Sequence, residues 1–243
     1  MRHFTRITRV QSTRSTNADM AKILGSDEAR GLTIVADFQT HGTGRKGRRW
    51  IAPPGSALLF TTALPELLPR GHLWTVPFWI ALVVRKALAR YSIAVDLQWP
   101  NDLLLDGRKA GGILCISRIT GENAWTACGV GINTLRTQGE SEELLSDAAF
   151  LSDVRAINRD VLLAAILEEA DRMYADLQSP QTIALQWEKA ARIPGTRYRI
   201  VRDGGAKILE GVAIALGPEG ELVVDAKGVQ HAVAIADARV LRD

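Results

Sequence analysis

Residues 37–50, Asp37-Phe38-Gln39-Thr40-His41-Gly42-Thr43-Gly44-Arg45-Lys46-Gly47-Arg48-Arg49-Trp50, combine three glycines, four cations and a closing tryptophan. Glycines let a backbone turn tightly and bring its N–H groups against an anion. Arginines add forked donors that match phosphate or carboxylate oxygens in pairs. The apolar run Leu32-Thr33-Ile34-Val35-Ala36 directly before them reads as a buried strand. A basic glycine loop at a strand end suits a polyanion. The plainer alternative is a solvated basic turn.

Three more polar clusters lie beside apolar segments: Ser15-Thr16-Asn17, Asn101-Asp102 with Lys109, and Gly131-Ile132-Asn133. Each has an ordinary explanation. Ser-Thr-Asn before a helix-forming run is N-cap chemistry, Asn and Asp at strand ends are turn residues, and Lys109 suits a solvated sheet edge. The rest of the inventory is exclusive. The four histidines have no metal-ligand spacing, and Cys115 and Cys128 form no C-x-x-C pair. G-x-S-x-G and G-x-x-x-x-G-K-[ST] are both absent. What remains is a reaction that clamps anions and needs no protein nucleophile.

The elements that position these clusters follow from periodicity. A short edge strand is expected at 4–10, a helix from about 18 to Gly25, and a central strand over Ala57–Leu64. Residues 72–90 carry Leu73, Val76, Ile80, Val83, Val84, Ala87 and Leu88 at helical spacing, which predicts a core-facing helix. Asp106-Gly107 between two apolar runs predicts a hairpin. Residues 134–158, with Glu140, Glu142 and Glu143, read as a surface loop. Asp160 is expected to cap a helix to about Leu177 with Val161 on its buried side, and a second helix is expected near 181–191. From Arg197, short strands at Tyr198–Arg202, Ile208–Leu216, Leu222–Asp225 and Ala232–Ile235 predict a small barrel. The fold class is therefore α+β: a mixed β-sheet with packed helices over 1–193, then a small all-β domain over 194–243.

With 243 residues, 47% hydrophobic, the chain can bury a sizeable core, and its net charge of +3 is too mild for a general nucleic-acid binder. The two cysteines suit buried, reduced thiols. No apolar run reaches the ~18 residues of a membrane span, and Met1–Arg6 is followed by no signal-like segment. A cytoplasmic protein without membrane attachment is expected.

Taken together and in this order, the clusters resemble the biotin protein ligases. The matching pieces are Ser15-Thr16-Asn17, Gln39 with Gly42–Trp50, Trp99-Pro100-Asn101-Asp102, Arg108–Leu114 and Gly129-Val130-Gly131-Ile132-Asn133, while the β tail is similar to the family's SH3-like C-terminal domain. The resemblance implies a class II synthetase-like fold and an enzyme that activates biotin with ATP as biotinyl-5′-AMP, aided by Mg2+. The biotin would then pass to a lysine of a biotin carboxyl carrier protein. Ser15, Thr16, Asn17, Gln39, Gly42, Thr43, Gly44, Arg45, Lys109 and Gly112 would contact biotin. Arg45, Arg48, Trp50, Asn101, Asp102, Lys109 and Asn133 would serve ATP. Lys109, Arg45 and Arg48 would be catalytic, and Asp102 would support magnesium.

The family usually has arginine where this chain has Thr43, and lysine where it has Gln98. No helix-turn-helix precedes the catalytic segment, so the ligase-only form without specific DNA binding is implied, and a homodimer is allowed. Three rivals stand beside this reading: a lipoate or octanoate transferase of the same fold, a nucleic-acid module using Arg45–Arg49, and a relative that binds biotin without ligating it.

Overall fold

The computed structural model describes residues 2–137, 147–202, 207–235 and 239–241. Glu140, Glu142 and Glu143 lie outside the described residues. β-Branched and aromatic runs build an eight-stranded mixed sheet. Its order is β1 (Arg6–Thr13), β2 (Leu32–Gln39), β5 (Ala57–Ala63), β10 (Asn123–Asn133), β9 (Arg108–Thr120), β8 (Asp102–Leu105) and β7 (Asp96–Gln98), with β6 (Leu68–Pro69) against the start of β10. β1 pairs parallel to β2 at one edge; the other pairings are antiparallel. β5 is buried along its whole length, as a central strand must be. The Asp106-Gly107 turn between β8 and β9 has φ of 50° and 77°, the left-handed pair that a two-residue hairpin requires.

Among the described residues four helices pack on this sheet: α1 (Thr16–Ile23), α2 (Thr75–Ala89), α3 (Arg159–Met173) and α4 (Pro180–Ala190). α2 lies against α3, α4 and the sheet, so Phe78, Trp79, Ile80, Val83 and Val84 are all fully buried. Apolar burial of this kind contributes about 1.5–3 kcal/mol per large side chain. Trp79 also donates its indole N–H to the carbonyl of Met173, 2.8 Å away, which fixes α2 to the end of α3. The cap of α3 is Asn158, not Asp160. Its Oδ1 accepts from the backbone N of Asp160 and Val161, at 2.8 and 3.2 Å. Helix entry two residues earlier turns Val161 outward, where it is 47% exposed rather than part of the core face.

Beyond α4 a second, antiparallel sheet has the order β14 (Val229–Val233), β13 (Leu222–Ala226), β12 (Lys207–Leu216), β11 (Arg197–Arg202), β15 (Arg239–Leu241). The last strand expected from the pattern, at 232–235, begins instead at Val229, and β15 is additional because three residues carry no readable alternation. Tyr198, Ile200, Ala213, Leu222, Val224 and Val233 are buried in a core continuous with that of the main sheet. Gly220 sits against Trp74 and Phe78: a Cβ there would lie 2.8 Å from the first and 3.0 Å from the second. The α+β class holds, with the small sheet seated on α2 rather than hanging free.

Candidate active site

The basic loop is itself a small hairpin. β3 (Gly42–Thr43) pairs with β4 (Arg49–Trp50), and Gly44 N donates to Arg48 O at 2.7 Å. Gly42 is needed because a Cβ would stand 2.7 Å from the Trp50 carbonyl oxygen. The hairpin folds over the sheet and closes two adjoining cavities.

The first cavity, about 130 Å³, lies between the start of α1, the hairpin and strands β9 and β10. Ser15 occupies the N-cap position of α1, but its side chain makes no capping bond, so its hydroxyl is left to the cavity it lines. Behind it runs a hydrogen-bonded group of neutral side chains. Gln39 Oε1 accepts from Thr16 N (2.7 Å) and Thr16 Oγ1 (3.1 Å), and Asn17 Nδ2 donates to Leu114 O (3.0 Å). Thr61, fully buried in β5, has its hydroxyl 2.8 Å from both Thr16 Oγ1 and Asn17 Oδ1 and donates to one of them at a time. Asn17 packs directly on Gly129, where a Cβ would be 2.3 Å from its Oδ1. Such a wall offers fixed donors and acceptors to a polar uncharged ligand.

The second cavity, about 430 Å³, is lined by Phe38, Ile51, Ala52, Pro53, Asn133 and Phe150 among others. Asn133 Nδ2 donates to the carbonyls of Lys109 (3.3 Å) and Ala149 (3.2 Å), which ties β10 to the segment after the described gap. Arg49, Trp50 and Lys109 border both cavities. Trp50 is the partition. Its indole lies across β9 and β10, where a Cβ on Gly131 would be 2.8 Å from the ring and one on Gly112 3.3 Å. Lys109 Nζ stands 5.7 Å from the centroid of that ring and 2.5 Å from Asp102 Oδ1. The Lys109–Asp102 pair is mostly buried, with side-chain exposures of 24% and 12%, so its geometry is held more firmly than that of a surface pair.

Arg45 reaches the cavity from the hairpin. It donates to Asn101 Oδ1 at 3.4 Å and to the carbonyl of Ile235, in the turn that follows β14. Burial, with the charge of Arg48 adding to it, pushes the Arg45 guanidinium below its ordinary value, while Asp102 acts in the opposite sense. An arginine starts so high that it remains a cation. Asn101 in turn bonds β9 twice, through Nδ2 to Ile113 O (2.8 Å) and through its own carbonyl from Ile113 N (3.0 Å).

The residues singled out from sequence largely converge. Ser15, Thr16, Asn17, Gln39, Thr43, Gly44, Arg45, Arg48, Trp50, Asn101, Lys109 and Gly112 line the first cavity; Asn133, with Trp50 and Lys109, lines the second. Gly42 and Asp102 line neither. Gly42 shapes the hairpin, and the Asp102 carboxylate is engaged by Lys109 rather than held open for a metal. Among the described residues no three His, Cys, Asp or Glu side chains gather as a metal site. Gln98 also lies away from both cavities, on a groove between β7 and β11. Thr61 escaped the sequence reading; its signal is a pair of hydroxyl residues, Thr61 and Thr62, inside an otherwise apolar central strand.

On this mixed sheet two cavities therefore adjoin at Arg49, Trp50 and Lys109. A model of the Biotin/lipoate A/B protein ligase family matches residues 7–133, just over half of the chain, and the chain belongs to that family. Among its relatives, the biotin–[acetyl-CoA-carboxylase] ligase of Mycobacterium tuberculosis is 28% identical over 246 aligned positions, covering 96% of this chain and 88% of that protein. The bifunctional ligase/repressor BirA of Bacillus spizizenii is also 28% identical, over 89% of this chain and 67% of its own. The biotin protein ligase of Aquifex aeolicus, solved in complex with biotin and ATP, has the same fold: TM-score 0.79 at 21% identity, over 99% of this chain and 100% of that one.

Proposed function

We propose that this chain is a biotin protein ligase, which makes biotinyl-5′-AMP from biotin and ATP and passes the biotin to a lysine of a biotin carboxyl carrier protein. The observation that carries the reading is the meeting of two cavities at Lys109 and Trp50. Biotin, with its uncharged ureido ring, suits the neutral wall of Thr16, Asn17, Gln39 and Ser15, with its carboxylate directed to Lys109. The adenine suits the apolar second cavity beside Trp50 and Asn133, with the phosphates returning toward Lys109, Arg45 and Arg48.

A carboxylate oxygen attacks the α-phosphorus, and the bond to pyrophosphate breaks. Two anions must approach, and cations fixed beforehand by Asp102 and Asn101 lower that barrier without reorganising during the reaction. In the second step the carrier amine attacks the mixed anhydride carbonyl and AMP leaves. The hairpin over the cavity limits water at the anhydride. Magnesium would come with the nucleotide and ease the departure of pyrophosphate; Asp102, paired with Lys109, is the carboxylate beside the phosphate region that would support it. Residues 1–193 would form the catalytic body and 194–243 the C-terminal domain of a cytoplasmic enzyme whose acceptor is acetyl-CoA carboxylase or a related carboxylase. No helix among the described residues is long and apolar enough to cross a membrane.

The family also includes lipoate ligases, so lipoate or octanoate is the second reading. Incubation with ATP and either biotin or lipoate, followed by mass spectrometry of the acyl-adenylate and of a carrier domain, separates them. Biotinyl-adenylate and a labelled carrier are expected; lipoate turnover without biotin turnover would overturn the proposal.

A further inference from the structure

The part of the chain beyond α4 touches the nucleotide half of the site at three points, one on a strand and two in turns. Tyr198 Oη, on β11, accepts the backbone N–H of Trp99 at 3.2 Å. The carbonyl of Gly220 accepts the indole N–H of Trp99 at 3.0 Å. The carbonyl of Ile235 accepts from Arg45. Trp99 and Tyr198 are both buried, and Trp99 lies two residues before Asn101 and three before Asp102. Those two side chains hold the cations: Asn101 is bonded to Arg45, and Asp102 is paired with Lys109. By contrast, the neutral wall around Thr16, Asn17, Gln39 and Thr61 has its hydrogen-bond partners within the main sheet and α1.

We infer that Tyr198 is a positioning residue for the nucleotide half-site: through Trp99 it fixes the backbone that carries Asn101 and Asp102, and so the placement of Arg45 and Lys109. The inference rests on the proposed ligase reading. The sequence carries no sign of it, since Tyr198 falls in a strand of the small domain, some hundred residues from Trp99. The chemistry suits a fixed support. Burial raises the Tyr198 hydroxyl to about 12, so it stays protonated at every working pH and the contact does not titrate with the reaction. Loss of the oxygen leaves a buried backbone N–H without its acceptor, which loosens the segment without removing the ring that packs there.

The test uses the full chain and Tyr198→Phe. Adenylate formation is followed by pyrophosphate release, biotin affinity by calorimetry, and the exchange of the backbone amides of Trp99, Asn101 and Asp102 by mass spectrometry. Tyr198→Phe is expected to worsen kcat/KM for ATP by about fivefold to tenfold while biotin affinity stays within about twofold. The amides of Trp99, Asn101 and Asp102 are expected to exchange faster in the variant without ligand, a readout that needs no activity. Unchanged ATP kinetics with unchanged exchange would overturn the inference. So would an equal loss for biotin and ATP accompanied by a lowered Tm, which marks general destabilisation. A wild-type chain that forms no adenylate with biotin would instead refute the ligase reading.

Discussion

The two halves of the site are built from opposite materials. The first half is neutral: hydroxyls and amides of α1, β2 and β5 satisfy one another in a closed group, and rigid β-strands hold them. The second half depends on cations: Lys109 is paired with Asp102 across the β8–β9 hairpin, and Arg45 is held by Asn101 and by the Ile235 carbonyl beyond β14. The difference matches the tasks. A neutral ring is selected by hydrogen bonds whose directions are fixed, whereas developing charge is stabilised by fixed charges in a water-poor site.

If this division is right, substitutions should damage one half at a time. The largest effect is expected from Lys109→Ala, which removes the cation where the halves meet and leaves the Asp102 carboxylate facing the phosphates. Pyrophosphate release should fall about 10²–10³-fold, with biotin binding reduced much less. Arg45→Gly cuts both ties of the hairpin. About tenfold faster loss of the adenylate is expected, with labelling of bystander lysines, measured by adenylate retention on a filter and by biotin blots against a carrier mixture. Gly131→Ala drives a methyl into the Trp50 ring, 2.8 Å from it, and should raise KM for ATP by about tenfold because the partition shifts.

The neutral half is tested by Thr61→Val, which keeps the shape and loses the hydroxyl between Thr16 and Asn17. Biotin Kd should rise about fivefold to tenfold by calorimetry, KM for ATP should hold, and Thr61→Ser should restore affinity. The smallest effect lies outside both halves. Arg136, with a further contribution from the backbone N–H of Phe150, holds the Asp153 carboxyl below its ordinary value. A depressed acid contributes stability above its unfolded pKa, near 4, and that contribution disappears as pH falls through the lower folded value. Asp153→Asn should therefore cost no more than about 1 kcal/mol of stability at pH 7, read as a slightly lower Tm, and the gap to the wild type should close as pH falls below 4.

Much of this was legible in the chain. The Gly-Arg loop, Ser15-Thr16-Asn17, Lys109 and Asn133 stood out by residue type, and strand and helix periodicity placed each at the end of an element. What misled was local. Asp160 looks as good a cap as Asn158, because capping preference is similar for both and only the entry angle of the chain chooses. That Asp102 pairs with Lys109, seven residues on across the β8–β9 hairpin, could not be read from the sequence either.

Sequence by itself determined the α+β class, the strand-end location of the polar clusters and the anion-clamping character of the basic loop, because periodicity and side-chain chemistry are local properties. Only the tertiary structure decided that Trp50 divides two cavities, that Thr61 joins Thr16 to Asn17, and that the chain beyond α4 supports Trp99 and Arg45. Those contacts cross from 44 to 190 positions of chain where they are hydrogen bonds. Their geometry arises from packing, which no short stretch of residues encodes.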